Sequence, residues 1–203
     1  MLLYINACVR SDSRTARIAE ALLSRLGGGY TEVKLAEEKL QPLSAEALQK
    51  RTALIDRGDY SDPMFCWAKQ FREAEEIVIA APYWDLSFPA SLKVYLENVY
   101  VTGLVSEYTQ EGLPHGLCRA KKLWYVTTAG GPYLADFSYD YIRTLATQFF
   151  GIPETELVKA EMLDVWGYDC DALVLEQIKK LKKGKGPLQN EDFAAVPIFA
   201  QKG

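Results

Sequence analysis

Residues 76–96 read EIVIAAPYWDLSFPASLKVYL, which joins an apolar run, an aromatic loop and a helical segment. The run Glu76–Ala81 is apolar after its first residue, as expected of a central parallel strand that is covered on both faces. Pro82 ends this run. Pro89 suits the first position of the following helix, because proline has no N–H to leave unbonded there. These residues predict a strand, loop and helix of a parallel α/β sheet.

The rest of the chain continues this alternation of strands and helices. The predicted strands are Leu2–Asn6, Tyr30–Leu35, Glu76–Ala81, Lys121–Thr127 and Glu156–Leu163. The predicted helices are Thr15 to about Leu26, Ser44–Ile55, Phe65–Ala74, a helix after Pro89, Ser138–Phe149 and Asp171–Lys182. Five strands separated by helices favour a doubly wound α/β sheet, in which ligands bind beyond the carboxyl ends of the strands where the strand order reverses.

The composition limits the possible partners of the chain. We expect residues 1–203 to form a single domain, with residues 187–203 as a packed or extended C-terminal tail. The net charge of −4 disfavours nucleic acid, and no apolar run approaches the ~18 residues of a membrane span. The four cysteines are about fifty residues apart, and the first residues lack the basic lead of a signal peptide. We therefore expect a cytoplasmic protein that binds neither nucleic acid nor membrane.

The loop after the first predicted strand is rich in hydroxyl and guanidinium groups. Ser13 and Thr15 carry two of its three hydroxyls, and Arg10 and Arg14 carry its guanidinium groups, at the start of a helix. A phosphate ester binds backbone N–H groups, hydroxyl donors and the positive end of a helix dipole, and arginine suits bidentate contact with it. The loop therefore predicts a phosphate site. The alternative is that Ser13 or Asp12 only caps the helix.

The loop after the third predicted strand presents large aromatic and aliphatic side chains. Tyr83, Trp84, Leu86 and Phe88 follow one another within six residues. Such a surface fits a planar, largely apolar ring whose polar edge is contacted by backbone groups. A contact with a second subunit, or a hydrophobic plug, is the alternative, and a ring site and a subunit contact are compatible.

The loop after the fourth predicted strand, TTAGGPY at Thr127–Tyr133, would lie beside the other two. Gly130 and Gly131 let the backbone approach a ligand closely. The chain has no GxGxxG after its first strand and no GxxxxGK[ST] motif, which weakens a dinucleotide fold and a P-loop as interpretations.

Three stretches together resemble the flavodoxin-like FMN-dependent NAD(P)H oxidoreductases, in particular their azoreductase and quinone reductase branch. They are VRSDSRTARIAEAL from Val9, APYWDLSFPASLKVYLENV from Ala81 and TTAGGPY from Thr127. The resemblance runs in register from Met1 to about Asp169. It implies a flavodoxin-like, five-stranded parallel sheet of order 2-1-3-4-5 with helices on both faces.

The resemblance also implies FMN as the cofactor and assigns residues to it. The phosphate loop falls on Arg10, Ser13, Arg14 and Thr15, the flavin-edge loop on Pro82, Tyr83, Trp84, Asp85 and Leu86, and the second ring-binding turn on Thr128, Ala129, Gly130, Gly131 and Tyr133. Proteins of this branch are cytoplasmic homodimers with FMN at the subunit interface. That arrangement would account for the exposed aromatic side chains.

The implied reaction is oxidation of NADH or NADPH and reduction of quinones, azo compounds or related aromatic acceptors, by ping-pong hydride transfer through the flavin. Because the flavin carries this chemistry, we expect no catalytic side chain. His115 and the lysine-rich run at 179–185 are expected to be solvated surface residues. Three alternatives stay open: an NAD(P)H:FMN reductase that releases its flavin, a flavodoxin-type electron carrier, and a binding module without flavin.

Three positions depart from the pattern of the branch. Cys8 stands where a serine is frequent, Asp85 where an asparagine is common, and Ser106 where an aromatic residue often begins a Phe-x-Tyr motif. A carboxylate cannot donate a hydrogen bond, so Asp85 lacks the side-chain N–H donor that an asparagine would present to the edge of the ring. The departures leave the prediction of flavin binding intact, whereas the identity of the acceptor does not transfer from the branch.

Overall fold

The main sheet has the predicted order. The computed structural model describes residues 1–183, so the predicted tail at 187–203 lies outside the described residues. The strands are β1 (Leu2–Asn6), β2 (Tyr30–Lys34), β3 (Glu76–Ala80), β4 (Ser106–Tyr108), β5 (Pro114–Gly116), β6 (Lys122–Thr128) and β7 (Glu154–Ala160). Five of them form a parallel sheet in the order β2-β1-β3-β6-β7, which confirms the order 2-1-3-4-5.

In the described part of the chain, six helices accompany the sheet, near the predicted positions. They are α1 (Arg14–Leu26), α2 (Ala45–Asp56), α3 (Cys66–Glu73), α4 (Ala90–Val99), α5 (Tyr139–Thr144) and α6 (Cys170–Lys183). A 3₁₀ turn at Pro63–Phe65 leads into α3, and a π-helical segment at Leu145–Phe150 continues α5. None of the helices within residues 1–183 is long and apolar enough to cross a bilayer.

Two details differ from the sequence prediction. The last strand ends at Ala160 instead of Leu163, because Met162 takes a φ of +66° and residues 162–164 turn to bond the backbone of residues 129–131. The loop at Gly103–Leu117 also contains the antiparallel pair β4 and β5, in which exposed His115 is paired with Glu107. Strands of three residues are too short to show a periodic pattern, so the sequence did not indicate them.

Both faces of the sheet are covered, which explains the continuous apolar strands. Along β1, Leu3 and Ile5 pack on one side in a core shared with α3, α4 and α5. Leu2 and Tyr4 pack on the other side, with α1 and α6. Successive side chains of a strand point to opposite faces of the sheet. A strand between two helical layers therefore buries both faces and is apolar throughout.

The strand order reverses between β1 and β3, and this creates the crevice. The chain leaves β1 into α1 on one face of the sheet, and leaves β3 into α4 on the opposite face. The loops after these adjacent strands therefore diverge and leave a gap at the carboxyl edge of the sheet.

Candidate functional site

A cleft of about 200 Å³ lies in this gap. Ten predicted residues line it: Arg10, Ser13, Arg14, Thr15, Pro82, Tyr83, Trp84, Thr128, Ala129 and Gly130. Four further lining residues were not predicted: Val9, Asp12, Leu163 and Asp164. The remaining predicted residues, Asp85, Leu86, Gly131 and Tyr133, neighbour the lining without belonging to it.

One end of the cleft is the start of α1, which we call the phosphate end. Ser13 caps this helix, since its side-chain oxygen accepts a hydrogen bond from the Ala16 N–H at 3.3 Å. The predicted capping role of Ser13 is therefore present. Within residues 1–183, the backbone N–H groups of Arg14 and Thr15 donate no hydrogen bond. They are unpaired donors at the positive end of a helix of 13 residues, and this arrangement favours an anion.

A buried hydroxyl pair lies at the base of the phosphate end. Thr15 Oγ1 and Thr128 Oγ1 are 2.6 Å apart, and Thr15 is only 1% exposed. One hydroxyl donates to the other, and the accepting hydroxyl keeps its own proton for a further hydrogen bond. The pair joins the loops after β1 and β6, and it can offer one O–H donor to a ligand.

Arg14 already has an acidic partner across the cleft. Its Nη1 atom donates to Asp164 Oδ1 at 2.6 Å and to the Leu163 carbonyl at 3.3 Å. The hydrogen bond from Arg14 to Asp164 raises the pKa of the guanidinium above its ordinary value. Asp164 lies so close to Gly130 that a Cβ there would be 2.4 Å from its Oδ2 atom, and its N–H bonds the Gly130 carbonyl at 2.8 Å. A side chain at position 130 would therefore displace the Asp164 carboxylate from this place.

The opposite end of the cleft, which we call the ring end, is a tight turn. Trp84 and Ser87 exchange two backbone hydrogen bonds of 3.0 and 2.8 Å around Asp85 and Leu86. The φ angles of Asp85 and Leu86 are +50° and +67°, as in a type I′ turn. Leucine rarely adopts a positive φ, so the turn is strained at Leu86. Within residues 1–183, the N–H groups of Asp85 and Leu86 donate no hydrogen bond, so both are unpaired at the tip.

Two stacked tyrosines support the wall of the cleft. The ring centroids of Tyr83 and Tyr133 are 4.4 Å apart, and the Tyr83 hydroxyl donates to the Ala135 carbonyl at 2.7 Å. The Tyr133 hydroxyl donates to Asp136 Oδ1 at 2.8 Å, and burial raises the pKa of Tyr133. Tyr133 thus packs on Tyr83 and holds the wall in place, although it does not line the cleft itself.

Trp84 and four neighbouring side chains form an exposed apolar surface, which we call the aromatic rim: Trp84, Leu86, Leu134, Phe137 and Tyr141. The Ser87 hydroxyl bonds the Phe137 carbonyl at 3.3 Å, and the Phe88 and Tyr141 ring centroids are 5.7 Å apart. These contacts make the rim continuous with the turn. Phe137 and Leu134 are 64% and 72% exposed, so this side of the cleft presents several large apolar side chains to solvent.

The nucleophilic and metal-ligating residues give no alternative site within residues 1–183. Burial raises the pKa of the Cys8 thiol, whose Sγ contacts the Ala80 carbonyl at 3.8 Å, so Cys8 is a packed neutral thiol. The other three cysteines are also unpaired. No group of three or more His, Cys, Asp or Glu side chains in these residues could hold a metal ion.

The donor set of the cleft fits a flavin mononucleotide. Its phosphate end offers two unpaired N–H groups, a hydroxyl pair and a helix start, which suit a dianionic ester. Its ring end offers an exposed indole and two unpaired N–H groups, which suit a planar heterocycle with polar edges. The cleft is smaller than the ~300 Å³ at which ligand pockets usually begin, so a bound ring would extend over the aromatic rim.

Comparisons with known proteins agree with this geometry. A family model described as flavodoxin-like fold matches residues 1–183. The FMN-dependent NADH:quinone oxidoreductase 2 of Clostridium acetobutylicum is 33% identical over 195 residues, which cover 90% of this chain and 96% of that protein. The FMN-dependent NADH:quinone oxidoreductase of Clostridium perfringens is 34% identical over 190 residues, which cover 88% of this chain and 94% of that protein.

Solved structures share the fold at lower sequence identity. An azoreductase from Bacillus anthracis has a TM-score of 0.77 at 22% identity, over 90% of this chain and 96% of its own. An FMN-dependent NADH-azoreductase of the same species, solved in complex with FMN, has a TM-score of 0.74 at 20% identity, over 90% and 95% of the two chains. With the family model matched from the first residue to Lys183, the chain belongs to the flavodoxin-like fold family.

Proposed function

We propose that the chain is an FMN-dependent oxidoreductase that oxidises NADH or NADPH and reduces quinones, azo compounds or related aromatic acceptors. This proposal rests on the cleft at the carboxyl edge of the sheet, where the strand order reverses. One end of the cleft has unpaired N–H groups that can bind a phosphate, and the other end has exposed aromatic surface. The two clostridial relatives, which cover nearly the whole chain and are named FMN-dependent NADH:quinone oxidoreductases, support the same reaction class.

In this proposal the phosphate end holds the ester group of FMN. The N–H groups of Arg14 and Thr15, the Thr15–Thr128 hydroxyl pair and the exposed guanidinium of Arg10 supply the donors. These donors are largely backbone dipoles and hydroxyls, so they are oriented by the helix and the sheet before the ligand arrives. Ser13 can add a further donor, because its hydroxyl oxygen accepts the capping hydrogen bond from the Ala16 N–H and its own O–H is still able to donate.

The ring end positions the flavin and keeps it accessible to its substrates. The unpaired N–H groups of Asp85 and Leu86 can contact the polar edge of the ring, and Trp84 supplies apolar surface. Ala129, Gly130 and Gly131 form the opposite turn, where a Cβ at Gly131 would meet no other atom within 4 Å. The site thus offers a flat, partly dry surface with hydrogen-bond donors at its edge.

Bound FMN supplies the redox chemistry, since it accepts a hydride from a nicotinamide and passes reducing equivalents to an aromatic acceptor. The protein therefore needs no acid or base at the reacting atoms, and His115 does not line the cleft. The nicotinamide and the acceptor would use the same open cleft, so we expect them to occupy it in turn.

We further propose that the chain works as a homodimer in the cytoplasm. A second copy packed on the aromatic rim would cover side chains such as Phe137 and Leu134 and enclose the exposed part of the flavin. The four unpaired thiols support a reducing compartment. Sedimentation equilibrium should give twice the 22.8 kDa of one chain, whereas a monomer at micromolar concentration would contradict the dimer.

The test of the function starts with the purified protein and FMN. We expect a yellow complex with an absorbance band near ~450 nm that NADH bleaches under anaerobic conditions and a quinone restores. Double-reciprocal plots of the initial rate at several acceptor concentrations should be parallel. Intersecting lines would contradict binding of the nicotinamide and the acceptor in turn. A protein that binds no FMN would contradict the proposal. Flavin release after reduction would favour an FMN reductase, and turnover only with a partner protein would favour an electron carrier.

A further inference from the structure

The ion pair between Arg14 and Asp164 connects three segments around the phosphate end. Arg14 is the first residue of α1, Asp164 follows β7, and Asp164 is held against Gly130 by its own N–H. Arg14 and Asp164 both line the cleft. A carboxylate that lines a proposed phosphate site is unexpected, because it repels the phosphate and occupies a guanidinium that could bind it.

We propose that Asp164 is a specificity-determining residue that weakens binding of the phosphate dianion and so keeps the cofactor exchangeable. This inference rests on the proposed function, because it concerns the same cleft. Arg14 donates a hydrogen bond of 2.6 Å to the Asp164 carboxylate. A phosphate that enters must share this guanidinium with Asp164, and it must also lie near a like charge.

The charges of the lining residues support a weakening role. Among residues 1–183, the side chains that line the phosphate end include two guanidinium groups, Arg10 and Arg14, and two carboxylates, Asp12 and Asp164. These four side chains sum to a formal charge of zero, so the attraction for a dianion comes mainly from the N–H groups and hydroxyls. Removing one carboxylate would leave this end with a net positive charge.

The alternative is that Asp164 helps binding by orienting Arg14. The exposure of the pair argues against a large orienting effect, since the side chains are 38% and 66% exposed. Exposed ion pairs contribute little, because solvent screens them and both side chains lose freedom. The repulsion between the carboxylate and a doubly charged ester acts over the ~8–10 Å screening length and does not need exact geometry. Repulsion therefore outweighs orientation at Asp164.

The test is the dissociation constant of FMN for Asp164→Asn. We expect this variant to bind FMN about three- to tenfold more tightly than the wild type at low ionic strength, with the difference shrinking as salt is added. Riboflavin, which lacks the phosphate, should bind both proteins equally. The matched control is Asp171→Asn, because Asp171 pairs with Arg17 at 3.0 Å with similar exposure but does not line the cleft. That variant should match the wild type with both ligands.

Other outcomes would overturn the inference. Equal or weaker FMN binding by Asp164→Asn would show that the carboxylate does not repel the phosphate, and an equal gain for riboflavin would show an effect unrelated to phosphate. Thermal unfolding confirms that the variant is folded, and Asp164→Ser provides a second neutral side chain if the asparagine disturbs the contact with Gly130. If the wild type itself binds no FMN, the proposed function fails instead.

Discussion

The two ends of the cleft are built in different ways. At the phosphate end, Ser13, Arg14 and Thr15 are consecutive residues of one helix start, Thr15 is buried, and its hydroxyl is paired with Thr128. At the ring end, Trp84 and Leu86 are 43% and 44% exposed, and Leu86 has a strained backbone. Both ends have unpaired N–H groups, but only the ring end also leaves large apolar side chains facing solvent.

This difference indicates that the two ends contribute differently to binding. Every helix has unpaired N–H groups in its first turn, so forming the phosphate end costs little additional free energy. The ring end holds a leucine at positive φ, at a cost of roughly 1–2 kcal/mol, and leaves large side chains unburied. Binding strength should therefore depend mainly on the phosphate end, and the ring end should mainly determine what approaches the flavin.

The largest expected effect is at the buried hydroxyl pair. Thr15→Val keeps the shape of the side chain but removes one hydroxyl, and a hydrogen bond to a charged group contributes roughly 1.5–3 kcal/mol. FMN should bind about 10- to 100-fold more weakly, while riboflavin binding stays the same. Fluorescence quenching of each flavin measures both constants.

The control for this variant lies on the same helix. Ser24 is exposed, and its hydroxyl bonds only the Glu20 carbonyl at 2.8 Å, so Ser24→Ala should leave FMN affinity unchanged. A loss of riboflavin affinity equal to the loss of FMN affinity in Thr15→Val would contradict the assignment of Thr15 to the phosphate.

A smaller effect is expected at the ring end. Trp84→Ala removes the exposed indole, and aromatic contacts of this kind contribute about 0.5–1.5 kcal/mol. FMN and riboflavin should both bind about three- to tenfold more weakly, because they share the ring. Trp166→Ala is the matched control, since Trp166 is 98% exposed and does not line the cleft. A loss of affinity for FMN but not for riboflavin would mean that Trp84 acts on the phosphate group and not on the ring.

The strained turn gives a smaller effect still, on stability. Leu86→Gly should relieve the ~1–2 kcal/mol cost of the positive φ, against roughly 0.5–1 kcal/mol of added chain entropy in the unfolded state. The free energy of unfolding should rise by about 0.5 kcal/mol in urea denaturation. Leu113→Gly, at an exposed leucine without a positive φ, should lower it instead. Equal destabilisation by both variants would mean that Leu86 is not strained.

The sequence indicated the residues at the start of α1 because they are adjacent in the chain, and their binding of a phosphate stays a prediction. A run of hydroxyls and arginines before an amphipathic helix is visible without a structure. Asp164 was missed because it lies 150 residues from Arg14, and nothing in LDVWG marks a partner for a distant arginine. Contacts between distant residues depend on how the loops after β6 and β7 meet, and that is a property of the folded sheet.

The ring end was predicted in composition but not in conformation. Aromatic residues between Pro82 and Pro89 indicated an exposed surface, and the structure has one. Type I′ turns usually carry Asn-Gly, so Asp85-Leu86 gave no signal for a turn with two positive φ angles. The apolar runs indicated the central strands, because strands covered on both faces are continuously apolar, and the resemblance to the family implied the strand order.

The last prediction tests how tightly Cys8 is packed; it precedes the lining residue Val9 and does not line the cleft itself. Because burial raises the pKa of Cys8, its thiol stays neutral in the folded protein at pH 8, and the thiolate is the form that reacts with iodoacetamide. Mass spectrometry after brief alkylation at this pH should show exposed Cys66 modified and Cys8 unmodified. The partly buried thiol contributes stability below its unfolded-state pKa, and this contribution declines as the pH rises toward the higher folded-state value. Rapid modification of Cys8 at pH 8 would mean that the packing of its thiol against the Ala80 carbonyl opens in solution.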